Sequence, residues 1–376
     1  MIAKIMRYEF PQDWCVFFSS SPVAVLLTTS SRPDGISSLI NFLRSSTQPG
    51  ANPLQLPRTL TILLQIIKEL STARLQRTRT NLQSVAPEIF HLLGSIYVDK
   101  VNKWVSLLEQ GVVDEGALLE SLEQSLVSLK VVRRLVIAGY EHPNRHNEVK
   151  DFWLLTHSHF SRFLQFISGS ISLPENVHKA VEKHVLQLSK LHVEMAKDRA
   201  ASFALLPDSI SLVRSYWSLV VKLGENYGQL GATGEQEGKS LMEKAGLKAL
   251  LLIRACSKMA FNPAQTFKYQ TPEDKEEKKQ SIELIKAELF THDFVVNVME
   301  LLVTQFFRFR SSDFQEWEED PEEWERKEED VSDAWEFSIR SCSEKLFLDL
   351  VIHFKDLLIP RLLNVFYNFA SKYLIP

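Results

Sequence analysis

Cysteine is almost absent. The 376 residues hold three, Cys15, Cys256 and Cys342, an odd and widely separated set with no Cys-x-x-Cys pair and no Cys/His metal spacing. That argues against a disulfide framework and predicts a reducing compartment with buried free thiols. No apolar run reaches ~18 residues without a charge, so membrane insertion is not expected. The start, MIAKIMRYEFPQDW, lacks a long apolar core behind a basic opening and does not read as a secretory signal. Catalytic signatures are missing too. There is no GxSxG elbow, Walker loop or GxGxxG turn, and no Ser/His/Asp or Cys/His arrangement can be drawn from spacing. No catalytic or cofactor-binding residue is nominated, and the expectation is a protein that is not an enzyme. His142/His146 and His157/His159 are the only histidine clusters. Each lacks a third ligand, so no metal site is expected.

Net charge is also small, at −4. This disfavours direct nucleic-acid binding. Arg74, Arg77, Arg79 and the pair Arg133/Arg134 are modest basic groups without interleaved aromatics, and read as solvated helix faces.

What the chain has in quantity is helical periodicity. Its thirteen glycines sit mostly at breaks, and apolar residues recur between them at three- and four-residue spacing. Residues 2–8 read as a helix end that Pro11 restarts. Asp34 is placed as the cap of 35–46. Helices follow over 56–73, from Arg74 to Leu108, over 117–138, 152–168 and 177–201. The breaks fall at 111–116 and 142–151. Asp208 is placed as the cap of the next helix, 228–239 as a polar loop, and 241–259 as a helix. A charged run leads into a helix ending at 290, and Thr291 caps one over 292–309. Two more span 332–354 and 355–373, the last a greasy helix read as lacking its next neighbour. Pairs recur roughly every 40–50 residues, the spacing of HEAT or armadillo repeats. The predicted fold class is all-α, a HEAT/armadillo-type α-solenoid: a right-handed superhelix of antiparallel helix pairs. The expected divisions are 1–312, helix pairs; 313–333, an acidic inter-repeat insert; and 334–376, a further pair.

The segment 313–333, DFQEWEEDPEEWERKEEDVSD, is the strongest anomaly. It carries twelve acidic residues against two basic ones, with Phe314, Trp317 and Trp324 among them. Carboxylates this dense and exposed offer no pocket to separate their pKa values, so acid/base catalysis is set aside. The spacing of an EF-hand loop is absent as well. A solvated, partly disordered loop is one reading. The other is a surface that attracts basic partners through Asp313, Glu316, Trp317, Glu318, Glu319, Asp320, Glu322, Glu323, Trp324 and Glu325. Docking of Trp317 and Trp324 on the chain's own repeats is a third possibility.

The same residues carry a resemblance. Glu319-Asp320-Pro321-Glu322, Trp324, and then Arg340 with Ser341 and Cys342 resemble an acidic motif and following helix of importin-β (karyopherin-β) superfamily receptors, where tyrosine or phenylalanine is more usual at the Trp324 position. Pro11 and Trp14 match a Pro-x-x-Trp turn of that superfamily's early repeats. Lys68-Glu69-Leu70, Arg74 and Arg79 are similar to a helix pair of the importin-eleven branch. The resemblance implies HEAT repeats and a nuclear import receptor that binds protein cargo. It further implies Ran GTPase as regulator, phenylalanine-glycine nucleoporins as transient contacts, and shuttling between nucleus and cytoplasm past the nuclear envelope. Members are much longer, so a partial chain lacking the first and last repeats is expected. The alternative is a helical-repeat scaffold with no GTPase dependence.

Overall fold

The computed structural model describes residues 33–48, 50–111, 114–169, 173–227, 240–266, 271–329 and 336–373. The expected helix end at 2–8, Pro11, Trp14, Cys15 and the expected loop at 228–239 lie outside these. The described residues are helical and contain no strand, which bears out the all-α class. The helices of six or more described residues are α1 (Pro33–Ser46), α2 (Gln55–Thr72), α3 (Gln76–Glu109), α4 (Glu115–Arg134), α5 (Asn147–Ser168), α6 (Glu175–Asp198), α7 (Ala200–Leu205), α8 (Ser209–Asn226), α9 (Leu241–Phe261), α10 (Pro272–Leu284), α11 (His292–Leu301), α12 (Ser311–Glu319), α13 (Pro321–Glu329), α14 (Ile339–His353) and α15 (Lys355–Tyr373). π-turns at Leu135–Gly139, Ile285–Leu289 and Leu302–Phe306 extend α4, α10 and α11. Two compact units are present. The first is drawn from Met1–Phe152 and Arg162–Gln187, the second from Trp153–Ser161 and Leu188–Pro376.

In the first unit α4 packs against both α2 and α3. Leu60, Leu63, Ile67 and Leu70 form the buried stripe of α2, at the three- and four-residue spacing that one helix face requires. Helix α3 buries Leu82, Ala86, Phe90, Leu93, Tyr97 and Trp104. Gly139, at the end of the π-turn after α4, lies against Ala86 near the start of α3. A Cβ there would stand 2.5 Å from that of Ala86, so only glycine allows this approach. The late part of one helix thus meets the early part of the other, as in an antiparallel pair. Trp104 packs on Phe163 with ring centroids 4.8 Å apart. His184 Nε2 and Ser125 Oγ are hydrogen-bonded at 2.8 Å in the same core.

In the second unit α8 packs on α9, α9 on α14, and α14 on α15. Helix α9 is buried along almost its whole length. Its Ser240–Glu243 capping box satisfies two backbone donors reciprocally. Cys256 and Cys342 are buried free thiols, and burial pushes each up to about 12. A polar network lies beside α8. His192 Nδ1 pairs with the Tyr216 hydroxyl at 2.9 Å and Nε2 with Thr156 Oγ1 at 3.1 Å. Thr156 donates its own proton to the Trp153 carbonyl at 2.6 Å. Its oxygen therefore accepts from His192, which assigns the proton to Nε2 and makes Nδ1 the acceptor for Tyr216. Burial lowers His192 to about 3.

Several boundaries differ from expectation. Asp34 lies within α1 and is not its cap. Asp208 does precede α8, but it sits at φ 57° in the left-handed region and makes no side-chain cap bond. Aspartate tolerates that region better than most residues, which suits it to the sharp turn out of α7. Helix α4 starts at Glu115 and not at 117, capped by Asp114, which accepts from Ala117 N–H. The loop expected to reach 151 ends early, because α5 starts at Asn147. Helix α14 starts at Ile339 and not at 332. Its approach is turned aside at 336–337, where Glu336 pairs with Lys197. Thr291 caps α11 as expected, accepting from Phe294 N–H at 3.3 Å. Helix α15 leaves Ile359, Leu363, Phe366 and Tyr367 exposed. No helix among the described residues is long and apolar enough to cross a membrane.

Candidate partner-binding surface

The acidic segment is built as two short helices, α12 and α13, through 329; residues 330–333 lie outside the described chain. One residue joins the two helices. Asp320 ends α12, where its N–H donates to the Glu316 carbonyl at 3.1 Å. The same residue starts α13: its Oδ1 accepts from Glu323 N–H at 2.9 Å. Pro321 then occupies the first helical position, where a missing N–H costs nothing. Glu322 and Glu323 follow in the first turn, where the helix dipole favours negative charge. The run Glu319-Asp320-Pro321-Glu322 therefore has a local backbone cause.

Two arginines tie the segment to the unit. The Arg310 guanidinium pairs with Glu243 at 2.7 Å and lies 3.9 Å from the Tyr227 ring centroid. Asp313 locks the same entry by accepting from Arg310 N–H at 2.7 Å. Burial raises the Tyr227 hydroxyl. The second arginine, Arg340 of α14, lies over Phe309 at 4.9 Å and over Trp324 at 5.8 Å, with Phe309 and Trp324 themselves 5.7 Å apart. An arginine between aromatic faces contributes about 0.5–2 kcal/mol per contact.

The ten candidate residues therefore divide. Asp313, Glu323 and Trp324 are half-buried. Asp313 serves the joint with Arg310, Glu323 pairs with Arg326, and Trp324 docks on Phe309 and Arg340. Glu316, Trp317, Glu318, Glu319, Asp320, Glu322 and Glu325 are exposed. Trp317 is 51% exposed, so the two tryptophans take opposite roles: Trp324 anchors and Trp317 faces solvent. Arg310, Glu243, Tyr227 and Phe309 were absent from the sequence reading. The available signal was Asp313 three residues after Arg310, the spacing of an N-terminal cap.

No family model matches the chain. It is 29% identical over 377 residues to the importin beta-like protein KAP120 of Saccharomyces cerevisiae, covering 98% of this chain and 33% of that protein. It is 27% identical over 369 residues to human importin-11, covering 97% and 33%. The structure of Lph2, described as a bidirectional nuclear transport receptor of S. cerevisiae, superposes with a TM-score of 0.76 at 25% identity over 96% of this chain and 34% of that one. The chain spans about a third of the length of the curated relatives it matches. Sequence along nearly the whole of this chain and fold agree: the chain is similar to importin-11 and KAP120 and has the HEAT/armadillo-type α-solenoid fold of a nuclear transport receptor.

Proposed function

We propose that this chain works in nucleocytoplasmic protein transport as an importin-β-type receptor surface, binding protein cargo under the control of Ran GTPase. The observation that supports this reading is the similarity of nearly all of this chain to about a third of importin-11 and of KAP120. The mechanism is binding. Stacked helix pairs present a large, adaptable footprint. The exposed carboxylates of α12 and α13 raise the encounter rate of lysine- and arginine-rich segments, with strong salt dependence. Trp317 adds a face for a cation. In this reading the protein shuttles between nucleus and cytoplasm, and meets phenylalanine-glycine nucleoporins in passage at the nuclear envelope.

The test is a pull-down with Ran in its GTP and GDP forms, together with titration of a basic peptide. A receptor retains the GTP form preferentially, and replacing Glu316, Glu318, Glu319, Glu322 and Glu325 by glutamine weakens peptide binding at low salt. Indifference to both nucleotide states would favour the scaffold reading. Unchanged peptide affinity in the glutamine variant would remove the acidic surface from the mechanism.

A further inference from the structure

Helix α9 holds a second charged surface, opposite in sign to the acidic segment. Of its 21 residues, only Met242, Lys244, Lys248, Lys258 and Phe261 reach solvent. The polar part of that stripe is entirely lysine. The one acid of the helix, Glu243, is buried, committed to the capping box and paired with Arg310. Arg254 is taken by Asp349 at 2.7 Å. Lys244 is exposed and Lys248 half-buried, one helical turn apart, and neither forms an ion pair with a described residue.

Helix α6 adds to the stripe. Lys190 and Lys197 crowd Lys248 so that, after burial, they are the next causes lowering its pKa. Lys258 is lowered as well, by burial first and then by Arg254, with Lys197 a smaller contributor. The carboxylates nearby are Asp349, which holds Arg254 beside Lys258, Glu194 and Glu336. Glu194 faces Lys190 at 3.9 Å, and Glu336 binds Lys197 at 2.7 Å. Glu336 belongs to the turn at 336–337 and not to either helix, so the surface already seats one carboxylate brought by a separate stretch of chain.

From this we infer that the lysine stripe of α9, with Lys197, is a docking surface for an acidic segment of a partner protein, which sets its carboxylates on Lys244 and Lys248 as Glu336 does on Lys197. Charge complementarity carries the choice of occupant. A nucleic acid fits less well, because no aromatic ring alternates with these lysines to stack a base. The inference does not depend on the transport reading and survives its failure.

The probe is a fluorescein-labelled Glu/Asp-rich peptide titrated into the full chain by anisotropy. Three proteins are compared: wild type, Lys244→Glu/Lys248→Glu, and a control with Glu318→Lys/Glu322→Lys on the acidic helices. The wild type is expected to bind with an affinity that falls as salt rises. The α9 variant binds about tenfold more weakly, and the control binds at least as well as wild type. Far-UV circular dichroism checks that both variants remain folded. No binding by wild type, or equal binding by the α9 variant, overturns the inference. So does tighter binding of a single-stranded oligonucleotide that the same α9 variant abolishes, because the surface would then be a nucleic-acid site. Marked tightening when α12 and α13 are deleted also overturns it, by making the chain's own acidic segment the occupant.

Discussion

Acidification should loosen the second unit at one identifiable place. His192 is fully buried, neutral, and held between Thr156 and Tyr216. Its folded pKa is lowered to about 3 from the ordinary imidazole value of 6.5, by burial first and by His157 second. Folded His192 therefore stays neutral while the unfolded chain takes up a proton. The stability it contributes is complete above 6.5 and is lost as pH falls from there toward about 3. Each unit of pH in that window removes ~1.4 kcal/mol, so at a pH about 1.5 units below the ordinary imidazole value the loss is ~2 kcal/mol. Protonation of Nδ1 would also take away the acceptor of the Tyr216 hydroxyl. Hydrogen exchange followed by mass spectrometry, corrected for the intrinsic pH dependence of exchange, reads the local opening energy of 188–198 and 209–226. A drop of ~2 kcal/mol between neutral pH and pH about 5 is expected in wild type. His192→Gln keeps hydrogen-bonding capacity without a titrating group, and should lower the baseline but flatten the pH dependence. An equal acid-induced drop in both proteins would refute the assignment of the linkage to His192.

Other outcomes follow from the packing and the acidic helices. Gly139→Ala sets a methyl group 2.5 Å from the Ala86 Cβ; overpacking of this kind costs about 1–3 kcal/mol, visible as a lowered thermal midpoint. Trp324→Ala should free α12 and α13 from Phe309 and Arg340 and speed limited proteolysis between 310 and 339. Trp317→Ala should leave the proteolysis pattern and melting unchanged and weaken only basic-peptide binding. Similar effects of the two tryptophan changes on proteolysis would contradict the division of roles between them.

Periodicity made the helices legible because the stripes are regular. Leu60, Leu63, Ile67 and Leu70 are apolar at helix spacing and are buried together. Thr291 was legible for a similar reason, as a hydroxyl three residues before the apolar run that opens at Phe294. Asp208 looked the same in sequence, yet its turn demands a left-handed backbone, and no local pattern announces that. The acidic segment was legible as charge but not as structure. Its helices depend on Asp320 as a joint and on two arginines, of which Arg340 lies sixteen residues beyond Trp324 in sequence. Long-range anchors of this kind leave no periodic trace. The lysine stripe of α9 was hidden for the opposite reason. Its three lysines lie within an apolar helix, and only burial of everything around them singles them out.

The joint at Asp320 separates two properties that the sequence had fused. Its backbone duties require an aspartate followed by proline, while the neighbouring glutamates meet solvent and make no comparable demand. Geometry and charge in this segment can therefore be exchanged independently. A chain with the same Asp-Pro joint and neutral flanks would keep the two-helix elbow and lose the electrostatic field. A chain with the acids and no joint would keep the field without a fixed direction. Grafting the elbow alone onto an unrelated helical repeat would supply a rigid bracket whose outer face is open to redesign.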